Sequence, residues 1–204
     1  ILAKVKLGGT YIETEDYDEA MEIYTPALKK AEELGDKRGM GNSLNNIGNV
    51  HWNKGDYDTA LDYYKRSLSI HEELGDKRGM GYSLDQIGKV HYNKGDDDKA
   101  LEYLEKSLAI HKEIGKKDLE FYTTIYLYLS YKHLGKYYDV KKIHSLIKET
   151  ENIGFDLNLR LYELSEETSY IETAYNEVQE TADNLESDIA AKFLSYPIPK
   201  AIVE

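Results

Sequence analysis

Between Gly41 and Met80 the apolar residues fall at helical spacing in two stripes. Leu44, Ile47, Val50 and His51 make the first. Gly55 interrupts it, and Asp56 offers an N-cap for the second, made of Tyr57, Ala60, Leu61, Tyr64, Leu68 and Ile70. Gly75 follows Leu74 and suits the left-handed residue that ends a helix; Asp76 then caps the next. The pattern predicts two antiparallel helices. It returns forty residues on: Gly41-x-Ser43-Leu44-x-x-Ile47-Gly48-x-Val50-His51 becomes Gly81-x-Ser83-Leu84-x-x-Ile87-Gly88-x-Val90-His91. Asn53-Lys54-Gly55-Asp56 becomes Asn93-Lys94-Gly95-Asp96, and Ser67-Leu68-x-Ile70-His71 becomes Ser107-Leu108-x-Ile110-His111.

More divergent copies flank these two. Leu7-Gly8, Asp16-Tyr17, Ala20-Met21 and Tyr24 keep the register upstream; Leu127, Tyr131, Leu134-Gly135 and Tyr137 keep it downstream. Four units are expected, at about 1–40, 41–80, 81–120 and 121–155. Irregular packing is expected where Glu15 replaces the turn glycine, where Pro26 enters a helix, and where Val140 replaces the alanine. A period of this size marks a solenoid, in which each unit buries its face on the next.

These residues carry a resemblance. Leu44, Ile47, Gly48, His51, Ala60, Tyr64 and Ser67 resemble the tetratricopeptide repeat (TPR) pattern. The common unit has about 34 residues; the longer period here is similar to TPR arrays of LGN-type polarity scaffolds, kinesin light chains and bacterial peptide-sensing regulators. The resemblance implies an all-α right-handed superhelix whose first helices line a concave groove for a peptide segment of a partner protein. Carried over residue by residue, the groove positions are Asn42, Asn45, Asn49, Trp52 and Asn53 in the second unit. In the third they are Tyr82, Asp85, Lys89, Tyr92 and Asn93, and in the fourth Tyr122, Ile125, Leu129, Lys132 and His133. Asparagine amides both donate and accept, so they can pair with a peptide backbone; Trp52 and Tyr92 offer flat anchors. The chaperone carboxylate clamp is not matched, because Val5, Gly9 and Asp85 occupy clamp positions, so a free C-terminal carboxylate is not the expected ligand.

Charge and composition narrow the function. A formal charge of −12 argues against a phosphate-backbone binder. With no cysteine there is no disulfide or thiolate metal site, and no apolar run spans a membrane. A cytoplasmic, non-catalytic interaction module without cofactor is expected. His51, His71, His91 and His111 recur because the repeat recurs, and they read as packing residues rather than a metal array. Glu32-Glu33 and Glu72-Glu73 read as a solvated face. The glycines around Met40 and Met80 lack the Lys-Ser/Thr of a phosphate loop. The tyrosines at 122, 126, 128, 131, 137 and 138 read as a broad aromatic face of the last unit.

Beyond residue 155 the period changes. Leu164, Ile171, Val178 and Leu185 recur every seven residues, beside Leu161, Thr168, Tyr175, Ala182 and Ile189. This predicts one long helix over 156–196 that caps the solenoid, forms a homodimeric coiled coil, or does both. Pro197 and Pro199 are expected to end it, leaving 197–204 as a tail. Phe193 to Glu204 faintly resembles the Leu-Pro-x-x-Ile-Ala element before class III nucleotide cyclase domains. That resemblance implies a sensor or assembly segment of a larger signalling protein. The abrupt first and last residues read as those of a fragment of such a protein.

Overall fold

The computed structural model describes residues 17–147 and 153–203. All regular structure among them is helical. The tandem part contains α1 (Tyr17–Leu34), α2 (Lys37–Asn53), α3 (Tyr57–Leu74), α4 (Lys77–Asn93), α5 (Asp97–Glu113), α6 (Lys117–His133) and α7 (Val140–Ile147). Helix α1 is the second helix of the first unit; the expected first helix, with Val5, Gly9 and Glu15, lies outside the described residues. The pairs α2–α3, α4–α5 and α6–α7 are the next three units.

The turns form as the sequence requires. Asp36 and Asp56 accept the N–H of Gly39 and Thr59 at 2.9 and 3.4 Å, and Gly75 closes α3 at φ 61°. Pro26 is accommodated inside an unbroken α1. Within a unit the helices approach until a glycine is needed. A Cβ on Gly48 would stand 2.6 Å from the ring of Tyr64, and one on Gly88 would stand 2.6 Å from Leu104. Between units, Ala60 and Tyr64 pack with Ile87 and Val90. A buried polar seam runs beside this core. Ser67 and Ser107 donate to the carbonyls of Gly41 and Gly81, each at 2.8 Å, which satisfies hydroxyls that burial would otherwise strand.

The C-terminal segment departs from the expectation of a single long helix. It folds as α8 (Phe155–Ser165), α9 (Thr168–Asp183), α10 (Ser187–Leu194) and α11 (Pro197–Val203). The first break is at Glu166, a non-glycine residue at φ 62°; the next follows Asp183. Pro197 opens a helix rather than ending one, since the first helical position has no N–H to lose. The heptad residues are therefore distributed over several short helices and turned inward. Leu164 joins the core with Leu157, Leu161, Ile125 and Leu129. Val178 is fully buried with Leu159, Ala174, Phe193 and Ile202, and Ile171 and Leu185 pack on that cluster. A continuous seam for a second chain is not what these side chains form; helix α8 uses one face for the solenoid and the other for α9 to α11.

Candidate functional site

Helices α2, α4 and α6 present the face on which the groove was expected, and it falls into two halves. At their C-terminal ends the chain fills the face with its own residues. Helix α8 brings Arg160, whose guanidinium lies 5.7 Å from the Tyr92 ring centre and 5.8 Å from that of Tyr126. Asp156 lies 3.5 Å and Glu163 2.8 Å from the same guanidinium. The hydroxyls of Tyr92 and Tyr126 donate to Glu163 and Asp156 at 3.3 and 3.2 Å. Lys132 donates to the Glu163 carbonyl at 2.7 Å and to Glu166 at 3.0 Å. Burial and then the facing carboxylates push both tyrosine hydroxyls well above their ordinary titration range. Burial opposes the charge on Arg160, but Tyr126, Asp156 and Glu163 outweigh it and hold the cation.

The expected anchors are spent in this contact. Tyr92 also stacks on His133 at 5.1 Å. Trp52 and Asn53 line a pocket of about 120 Å³ with Tyr17, Tyr57, Phe155 and Pro197. Within buried surroundings, the Trp52 Nε1 and Asn93 Nδ2 atoms have no hydrogen-bond partner among the described residues. Ile125 and Leu129 are core. Five groove positions (Trp52, Asn53, Tyr92, Lys132 and His133) thus face the chain itself. The reason was not visible in the repeat: Tyr92 and Lys132 meet α8, which carries Asp156, Arg160 and Glu163, and Trp52 and Asn53 meet Phe155 and Pro197.

Three more positions, Asp85, Lys89 and Asn49, are engaged by the chain itself. Asp85 is 5% exposed, pairs with Lys89 at 2.7 Å and accepts from Thr123 at 2.7 Å. Burial disfavours the Lys89 cation, but Asp85 more than compensates and raises its pKa. Lys89 also lies 5.0 Å from the Tyr126 ring centre and 6.0 Å from that of Tyr122. Asn49 donates to the Tyr82 hydroxyl and accepts from the Tyr64 hydroxyl, both at 2.8 Å.

The other half of the face is open. At the N-terminal ends of α2, α4 and α6 lies a cleft of about 560 Å³ lined by Arg38, Asn42, Asn45, Asn46, Asp76, Arg78, Gly79, Tyr82 and Leu119. Asn42, Asn45 and Tyr82 were expected in a groove; Arg38, Asn46 and Arg78 were not, although the shared Lys-Arg-Gly-Met-Gly segments place both arginines at equivalent positions one turn upstream. Asn45 is 4% exposed and accepts from Ser83 at 3.1 Å. Asn42 is exposed, Asn46 half-buried, and neither side chain has a partner among the described residues.

The histidines stay apart. His51 and His91 stack on Tyr63 and Tyr103, and His71 and His111 are buried between units. Among the described residues no group of three or more His, Asp or Glu side chains is placed to hold a metal ion. No helix among them is long and apolar enough to cross a membrane.

Comparison with solved structures agrees with this architecture. BtubC (BKLC) from P. vanneervenii matches with TM-score 0.57 and 24% identity over 72% of this chain and 59% of that one. A putative kinesin light chain from Podospora anserina with nearly identical TPR-like repeats matches with TM-score 0.57 and 14% identity over 98% and 93%. Aspartyl phosphate phosphatase F from Bacillus subtilis matches with TM-score 0.60 and 20% identity over 88% and 47%. The chain thus spans well under two thirds of the first and third of these, and the likeness is one of fold. No curated protein matches significantly. A family model described as tetratricopeptide repeat matches residues 1–73 and 39–113. With more than half its length matched, and with the helix pairs and glycine contacts described above, the chain belongs to the tetratricopeptide repeat family.

Proposed function

We propose that the chain is a non-catalytic interaction module that holds a peptide segment of a partner protein in the cleft between α2, α4 and α6. One observation carries the reading: the open half of the face is lined by Asn42, Asn46 and Arg78, which have no side-chain partner of their own among the described residues. The other half is already covered by α8 and α11. Tetratricopeptide repeats generally mediate protein–protein interaction, which supports the assignment. A peptide brings one N–H and one C=O per residue into the cleft, and asparagine amides can satisfy both kinds. Nearby, Asp85 and Lys89 are paired with each other, a structural use that supports the non-catalytic reading. The lack of cysteine suits the reducing cytoplasm, where we place the protein.

The test is a selection of displayed dodecapeptides on the whole chain, followed by binding of individual peptides to the Asn42→Ala, Asn46→Ala double variant. Neither side chain supports the fold, so its melting temperature should stay unchanged. Affinity should fall at least about fivefold, the effect of losing one or two hydrogen bonds. Selected peptides that bind the double variant as tightly as the wild type would place the site elsewhere.

A further inference from the structure

We propose that the segment held in this cleft is acidic, with one aspartate or glutamate side chain seated on the Arg78 guanidinium. This rests on the peptide-binding reading above and names the chemistry of its ligand. The argument starts from the repeat register. Lys37 pairs with Glu73 at 2.7 Å, and its equivalent Lys77 pairs with the equivalent Glu113. Arg38 follows the same logic: its Nε lies 3.3 Å from Asp76 Oδ2. Moved on one period, the partner of Arg78 should stand at 116, where the chain has Lys116 instead of aspartate. The repeat thus puts a second cation where the acceptor should be. Arg38, Arg66 and Arg160 each have a carboxylate partner; Arg78 has none among the described residues.

Among the described residues Asn42 and Asn46 keep both kinds of group free, but Tyr82 and Asn45 have their acceptors used and their donors left, which tips the balance of the lining toward donors. Tyr82 Oη accepts from Asn49 Nδ2 and Gln86 Nε2, both at 2.8 Å. With both acceptor sites filled, its own O–H is left to donate, and no acceptor for it stands among the described residues. Asn45 Oδ1 is taken by Ser83 Oγ, leaving the amide N–H groups. Asp76, the one acid of the lining, is occupied on both oxygens: Oδ1 accepts from Gly79 N at 3.3 Å and Oδ2 faces Arg38. A cleft with surplus donors and a cation selects a ligand with surplus acceptors, namely backbone carbonyls and a carboxylate. Guanidinium and carboxylate match as a two-point pair. Leu119 at one end of the cleft adds an apolar contact. The net charge of −12 repels a long polyanion, so the selection is for a single acidic residue seated locally.

The experiment uses the selected dodecapeptides and fluorescence anisotropy on the whole chain and on Arg78→Glu, whose side chain is exposed. Selected peptides should share an Asp or Glu at one position. Arg78→Glu should weaken them about tenfold or more, the scale of a charge-assisted hydrogen bond. Exchanging the shared acid for lysine should restore binding to Arg78→Glu within a few-fold. Peptides that depend on Asn42 and Asn46 but ignore Arg78→Glu, or tolerate alanine at the shared acid, overturn the acidic assignment and leave the cleft standing. Peptides indifferent to both variants, or a selection without binders, overturn the peptide-binding reading itself.

Discussion

Gly48 shows how one residue sets the distance between two helices. Tyr64 is fully buried, and its hydroxyl donates to Asn49 at 2.8 Å, so the ring has no free direction in which to yield. Alanine at Gly48 gains about 1 kcal/mol of helix propensity but forces a Cβ to 2.6 Å from that ring. Overpacking of this kind costs about 1–3 kcal/mol, and Gly48→Ala should lower the melting temperature by several degrees. Gly154→Ala, with nothing within 4 Å of the new Cβ, should change it by a degree or less; equal effects would show that Tyr64 does move. The buried histidines give a second residue-scale prediction. Burial lowers the pKa of His71 and of His111 below the ordinary 6.5, with Asp76 and Asp85 opposing only in part. The unfolded chain therefore binds more protons than the fold in the window below 6.5. Stability is complete above that pH and is lost as pH falls through the unfolded value toward the folded one. Melting curves at pH 7.5 and 5.5 should show the loss, and a His71→Gln, His111→Gln double variant should show less of it. If the double variant loses just as much, the carboxylates alone set the slope. These positions were legible as packing sites because the repeat fixes which face they lie on. That their Nε2 atoms are buried without a hydrogen-bond partner among the described residues was not, since it depends on neighbours in the next unit.

At the scale of the element, the repeated helices were readable because most are bounded by chemistry the chain spells out: an aspartate before the helix, a turn glycine after it, an alanine where helices meet. The C-terminal helices were not. A seven-residue apolar series shows where an amphipathic face lies, and that face survives a break if the next helix keeps the same side inward. Leu164, Ile171, Val178 and Leu185 do so across the breaks after Ser165 and Asp183. Glu166 takes the left-handed conformation without being glycine, so no residue type announced the turn. What holds α8 in place is also nonlocal. Its Arg160 is 8% exposed and sits between two tyrosines and two carboxylates. Replacing it with methionine keeps the apolar stem but leaves Asp156 and Glu163 without their cation. The expected loss is about 1–3 kcal/mol, because the two carboxylates left behind are only partly buried, read as a lower urea midpoint. Adding Asp156→Asn and Glu163→Gln should recover part of it, because no uncompensated charge is then left. A midpoint unaffected by Arg160→Met would mean that the leucines of α8 alone dock it.

For the whole molecule, the question is whether its C-terminal segment is an arm for a second chain or part of one fold. The contacts favour the second. Tyr196 lies 4.5 Å, centre to centre, from the Tyr17 ring, and Lys192 reaches Asp18 at 3.0 Å. Asp18 also receives Lys54 at 2.9 Å, and the next rungs, Lys94 with Asp58 and His133 with Asp97, repeat one unit further on. The C-terminal helices therefore tie back to the first described helix of a ladder that the repeats build. These exposed pairs each contribute little; the buried cluster around Val178 supplies the apolar area that holds the end in place. Val178→Asp separates the two pictures. In an exposed coiled-coil seam it would convert a dimer to a folded monomer with little change in melting. With Val178 at 0% exposure, it should instead bury an unpaired charge, lower the melting temperature sharply and reduce helicity, while the wild type scatters light as a single chain at micromolar concentration. A wild-type dimer that Val178→Asp dissociates without loss of helicity would restore the coiled coil and detach α9 to α11 from the solenoid.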